Sequence, residues 1–275
     1  MMRHTRILSG VLVLLATSAS FALAAPPKLK PARGRSLRPA DMRAVVKKWH
    51  EVTPGRVAPT DENHRPKLVL VSINTGERVE LAASSDEGGF DAHALDVAAH
   101  LLRDDRASLE HPIEPATLDL VYRAQRKFDA QEIRVISGYR APRSRFRNIH
   151  AKGRAIDLVV PGTDDKDVAT WARAQGFAGV GVYPRSGYCH LDTRPDGYSW
   201  IDTSGPGQYS REYPVHRDES RQGDHDARKA GRRGVPPFVL PSSSVTKIWS
   251  EGSSSEAHGD DAHESGDDTG DTSDE

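Results

Sequence analysis

The chain has 275 residues, with 38 Lys+Arg against 39 Asp+Glu for a formal charge of -1, 36% hydrophobic and 28% charged residues, and one cysteine. This composition excludes collagen, a disulfide-stapled miniprotein, a multi-span membrane protein and a Cys-rich zinc ribbon, and Cys189 alone closes no intrachain disulfide. The charge is segregated: residues 251–275 hold ten acidic groups and no Lys or Arg, which leaves residues 1–250 at +9.

Residues 1–24 carry Arg3 and Arg6, an apolar run from Ile7 to Ala16, and Ala22-Leu-Ala24. This is the architecture of a secretory signal peptide, with a run too short to span a bilayer comfortably, and it predicts a soluble periplasmic or secreted protein without stable membrane insertion after cleavage. Residues 25–66 read as a basic, Pro-rich leader with one short amphipathic helix, Asp41 to Trp49, on which Met42, Val45, Val46 and Trp49 share a face. A domain is predicted over 67–202. It opens with a hairpin, Lys67–Asn74 and Arg78–Leu81 about the Thr75-Gly76 turn. Two helical stripes follow, Leu95, Ala98, Ala99, Leu102 and then Leu118, Val121, Tyr122, Gln125, Phe128, with Pro115 in the first turn of the second.

Strands are predicted at 132–137 and 154–160; the second alternates Ile156, Leu158 and Val160 with Ala155, Asp157 and Val159. A helix over 164–175 stops at Gly176, and paired strands at 180–183 and 188–192 flank Pro184-Arg-Ser-Gly187. Helices followed by clustered strands imply an α+β fold with a small antiparallel sheet. Residues 203–250 read as a charged Gly/Pro/Ser-rich linker and 251–275 as an acidic tail, both disordered, because they cannot bury enough apolar surface to offset chain entropy.

The chemistry concentrates in three stretches: Ile136 to Pro142, Asn148 to Asp157, and Gly179 to Asp192. His150 sits in a loop, Gly153 lets the chain turn, and Asp157 lies on the strand face opposite Ile156 and Leu158. A carboxylate there needs a partner. His190 lies on a later strand with Tyr188 and Asp192 on its face and Cys189 and Leu191 on the other. If the two strands are neighbours, His150, Asp157 and His190 converge as an N,O,N set suited to zinc, with a fourth position open as in catalytic sites.

The motifs around these residues resemble the M15 family of zinc peptidases, in the branch of periplasmic peptidoglycan endopeptidases once catalogued as a domain of unknown function. The likeness runs through Asn74-Thr-Gly-Glu77, Leu101-Leu-Arg-Asp104, Ile136-Ser-Gly-Tyr-Arg140, His150-x-x-Gly153-x-Ala155-x-Asp157, Gly181-Val-Tyr-Pro184 and His190-Leu-Asp-Thr193, about half the chain in matching order. The resemblance implies a Hedgehog/DD-peptidase-like fold, zinc (Zn2+) held at His150, Asp157 and His190, and cleavage of peptidoglycan stem-peptide cross-links. Arg140 is the candidate for holding a substrate carboxylate or a developing oxyanion, or else for a structural ion pair; Ser137 and Tyr139 read as packing or supporting residues. Relatives in the wider fold place an acid three residues before the final histidine, where this chain has Gly187. Asp192 is then either the general base or a carboxylate orienting a ligand histidine. Asn148, where the branch usually has serine, and a shortened loop over 143–147 are further departures.

His93 and His100 share a helix face without a completing ligand, and Cys189 reads as a small buried side chain. The basic run Arg228-Lys-Ala-Gly-Arg-Arg233 would suit nucleic acid, but a secretory signal argues against that partner. The competing class is a non-catalytic wall-binding module that keeps the fold.

Overall fold

Period-two alternation in the β-branched runs and 3.6-residue stripes in the intervening segments are realised as a layer of helices on a sheet. The computed structural model describes residues 39–142 and 148–236; the predicted signal peptide, the predicted leader up to residue 38, residues 143–147 and everything from 237 onward lie outside the described residues. In chain order the elements are α1 (Pro39–His50), β1 (Leu68–Ser72), β2 (Arg78–Leu81), α2 (Ala92–Leu101), α3 (Pro115–Lys127), β3 (Ile133–Ser137), a 3-10 turn (Ile149–Lys152), β4 (Ala155–Val159), α4 (Asp165–Ala174), β5 (Ala178–Tyr183), β6 (Tyr188–Thr193), β7 (Tyr198–Asp202), β8 (Glu212–Pro214) and α5 (Arg217–Lys229). Among the described residues no helix is long and apolar enough to cross a membrane.

Local chemistry sets the helix starts. The Asp91 carboxylate accepts from the Ala94 N–H at 2.7 Å, Pro115 opens α3 where its missing N–H costs nothing, and Asp164 accepts from Lys166 N at 2.8 Å ahead of acidic Asp165 and Asp167.

The strands form one sheet in the order β2-β1-β3-β4-β6-β5-β7-β8. The expected α+β class holds, but the expected small antiparallel sheet is corrected to an eight-stranded mixed one, because β1 pairs with β3 and β5 with β7 in parallel. The α2–α3 crossover permits the first parallel pair, and the second follows from residues 194–197 carrying the chain past the end of β5.

Alternation divides the sheet into two faces. Ile156, Leu158, Val180, Val182, Cys189 and Leu191 join Leu118, Val121, Tyr122, Val168 and Ala172 in the core. Ile156, Leu158 and Leu191 are fully buried, each adding about 1.5–3 kcal/mol of apolar burial. Asp157, His190 and Asp192 therefore occupy the opposite face, as the alternation predicts.

The predicted disorder from residue 203 is corrected over 203–236, which contain β8 and α5. The α5 contact uses small and polar groups. Gly223 packs on the Arg173 carbonyl, Gly176 approaches Gly223 and Ala227, and buried Asp224 accepts from Phe177 N at 2.6 Å and Gly197 N at 2.8 Å. Helix α1 is likewise tied to the body: His50 donates through Nε2 to the Gly187 carbonyl at 3.3 Å, and Arg134 donates to the Lys48 and Trp49 carbonyls.

Candidate metal centre

The β4–β6 pairing brings Asp157 directly opposite His190 in register, at the middle of the sheet. His150 arrives from the 3-10 turn, which Asn148 caps by accepting from Ala151 N at 2.8 Å. Gly153, at φ 64°, ends the turn in the left-handed region, and a Cβ there would collide with the Pro112 carbonyl, so glycine is what lets the chain enter β4.

Hydrogen bonds select the free nitrogen on each ring. His150 donates its Nδ1–H to the Gly138 carbonyl at 2.7 Å, leaving Nε2 as a lone pair. His190 donates Nε2–H to the Asp192 carboxylate at 2.9 Å, leaving Nδ1. His150 Nε2 lies 3.1 Å from His190 Nδ1 and 3.4 Å from Asp157 Oδ1, and His190 Nδ1 lies 2.9 Å from the same oxygen. Three acceptors thus face one another with no donor among them, an arrangement that a cation relieves. Tetrahedral zinc with bonds of ~2.0–2.1 Å would space its ligand atoms about 3.3 Å apart, so the donor set fits zinc in both chemistry and spacing. All three residues are only 2–3% exposed. Burial first, and then the Arg140 charge and the neighbouring His190, hold His150 well below the ordinary imidazole range, which keeps it neutral.

Arg140 reaches this cluster. Its Nε–H donates to Ser137 Oγ at 2.8 Å and its terminal nitrogen lies against Asp157 Oδ2, so Ser137 bears on the site through Arg140. The loop carrying Arg140 is fastened to the end of α2: Tyr139 N donates to the Leu102 carbonyl at 2.7 Å and Ala141 N to Asp104 Oδ2 at 3.0 Å.

Asp192 is fully buried behind the His190 ring and also accepts from Arg194 through both oxygens. Burial alone would raise this carboxyl, but hydrogen bonds from His190 and Arg194 outweigh it and hold it below the usual carboxylate range. Its contacts suit orienting His190; it does not face the gap between the three donors. Position 187, where the wider fold has an acid, is closed: Gly187 has φ 69° and a Cβ there would strike Val46 of α1. Cys189 is buried in the core, and His100 is an exposed partner of Glu110 at 2.7 Å, outside the cluster.

Trp200 escapes the sequence reading. Its ring centroid lies 5.0 Å from that of His190, it covers Gly181, and its Nε1–H donates to Tyr183 Oη at 3.2 Å. The Arg194 guanidinium stacks over Trp200 at 5.7 Å. The available signal was the Gly179-x-Gly181-x-Tyr183 alternation, which clears one face of β5 for a large neighbour.

No solved structure matches the chain. Over residues 60–197 it matches Peptidase_M15_2, the family described as Peptidoglycan L,D-endopeptidase MepK. It is 33% identical over 144 residues to the peptidoglycan L,D-endopeptidases MepK of Escherichia coli K12 and Shigella flexneri, covering 48% of this chain and 79% of each relative. The probable peptidoglycan L,D-endopeptidase MepK of Haemophilus influenzae is 31% identical over 158 residues, covering 52% of this chain and 84% of that relative. Since the matched span contains all three donors and the relatives are covered over most of their length, the chain belongs to the Peptidase_M15_2 family of M15 peptidases.

Proposed function

We propose that this protein is a zinc-dependent peptidoglycan endopeptidase, acting outside the cytoplasm, that hydrolyses an amide of the L,D class in stem-peptide cross-links. The observation that carries the reading is the convergence of His150 Nε2, Asp157 Oδ1 and His190 Nδ1 within 3.4 Å, in a chain whose relatives are peptidoglycan endopeptidases. When bound, zinc supplies Lewis acidity, polarising a peptide carbonyl and acidifying water near neutral pH.

The chain's own residues do the rest. Gly138 and Asp192 lock the two imidazoles in complementary tautomers, so Nε2 of one and Nδ1 of the other are the metal-facing atoms. Arg194 keeps Asp192 ionised behind His190. Arg140, with 42% of its side chain exposed, is the cationic group at the mouth of the site and binds a substrate carboxylate or the carbonyl oxygen as charge develops on it. Asp192 is assigned to orientation; the role of general base stays with no carboxylate of this cluster.

The test is mass analysis of purified cross-linked muropeptides incubated with zinc-loaded protein and with a His190→Ala variant. Zinc-dependent loss of dimers in the wild type alone is the expected result. A zinc-loaded wild type that binds sacculi and leaves dimers intact would establish the wall-binding module instead.

A further inference from the structure

The Gly181-Val-Tyr-Pro184 motif has a part that ligand geometry does not use. Tyr183 lies on the same face of the sheet as the cluster, since Gly181 pairs with His190 in register and Tyr183 is two residues further along β5. Trp200, on β7, also pairs with Gly181 and fills the space that glycine leaves. The indole stands 5.0 Å from the His190 ring on one side and donates its N–H to Tyr183 Oη at 3.2 Å on the other. One side chain therefore links the ligand histidine to the phenol.

That bond fixes the direction of the hydroxyl. Indole N–H only donates, so the Tyr183 oxygen is the acceptor, and its own proton is free to be given elsewhere. Among the described residues Tyr183 Oη has no acceptor for that proton. Tyr188 stacks on the Tyr183 ring at 4.5 Å and an interplanar angle of 18°, which holds the ring plane. Burial raises the Tyr183 hydroxyl above the ordinary phenol range, so it remains a donor at neutral pH, and the Arg140 charge is close enough to act on it. A protonated, oriented O–H on the cluster's face of the sheet, joined to His190 through the indole and within the influence of the Arg140 charge, with no acceptor among the described residues, is the donor half of an unfinished hydrogen bond.

We propose that Tyr183 is a catalytic residue, whose hydroxyl donates a hydrogen bond to the oxygen of the cleaved amide as negative charge develops there, and that Trp200 is the positioning residue that directs it. The inference rests on the endopeptidase reading. It also gives Trp200, which lies beyond the matched span of 60–197, a part in the reaction.

The experiment uses full-length zinc-loaded protein and cross-linked muropeptide dimers, comparing wild type, Tyr183→Phe, Trp200→Phe and the double variant, with zinc content and Tm measured for each. Tyr183→Phe is expected to lower kcat on the order of 100-fold, as loss of one oxyanion donor does, with KM, zinc content and Tm near wild type. Trp200→Phe lowers kcat less, and the double variant is no slower than Tyr183→Phe, because the indole acts through the phenol. An active wild type matched within twofold by Tyr183→Phe overturns the proposal, as does a Tyr183→Phe protein that loses zinc or unfolds, which would make the residue structural. Additive losses in the double variant overturn the role of Trp200. An inert wild type overturns this inference and the function beneath it together.

Discussion

At the scale of single residues, Asp192 shows how a carboxylate's neighbours decide its work. It is two residues from His190 on the same strand face, a spacing compatible with either a base or an orienting group. The fully buried oxygens are taken up by His190 and Arg194, contacts that suit the proposed role of fixing a tautomer. Asp192→Asn keeps the shape but removes the negative charge that stabilises the His190 N–H. Zinc affinity is expected to fall about 10–100-fold with the fold intact, read by competition against a chelator of known affinity. Unchanged affinity would assign Asp192 another role. The candidate ligands Asp157 and His190 were legible because alternation sets them on the face away from the core. Trp200 was not legible: a tryptophan among aromatics on a short strand reads as packing, and only the register across Gly181 brings it to His190.

At the scale of elements, the helix that follows the matched span is attached by polar and small-residue contacts. Helix α5 buries Ser220, Gly223, Asp224 and Ala227, so it has no apolar stripe for a sequence pattern to reveal. The junction of α1 and α4 adds a polar contact, where His50 Nε2 lies 3.8 Å from Asp165 Oδ2. Burial, opposed by His50, pushes the Asp165 carboxyl from 3.8 up to about 6. A raised carboxyl favours its protonated form in the fold, so its contribution to stability is fully present below pH 3.8 and is lost as pH rises through about 6. Charge at the first turn of α4 recovers only about 0.3–1 kcal/mol, less than a two-unit shift removes. Asp165→Asn, which mimics the protonated state, is therefore expected to stabilise the protein by about 1–3 kcal/mol at pH 7.5 and by little at pH 3.5. Denaturant melts at the two pH values check this; an equal effect at both would refute the burial account.

For the whole molecule, the centre of the sheet was the readable part and the margins were not. Strands β3, β4, β5 and β6 announce themselves by apolar residues at period two, and their pairing order brings the candidate ligands to one place. Strand β7 falls at the end of the predicted 67–202 domain and β8 in the segment read as linker, and each shows itself only where it pairs, β7 on β5 and β8 on β7. The near-neutral total of -1 likewise says little about the folded body, since the ten acidic groups of 251–275 lie outside the described residues.

The lone thiol turns this arrangement into a reporter. Cys189 is fully buried on the reverse side of β6 from His190, one register step from the Asp157–His190 pair, and burial raises it well above the ordinary thiol range. A thiol reagent therefore modifies it only when β6 lifts from the core. Zinc held by His150, Asp157 and His190, as proposed, would tie β4 to β6 and close that opening, so the rate of Cys189 labelling should drop on metal addition and recover with chelator. With one cysteine in the chain, a single mass shift follows it, and a labelling rate indifferent to zinc would show that the ion does not clamp the two strands.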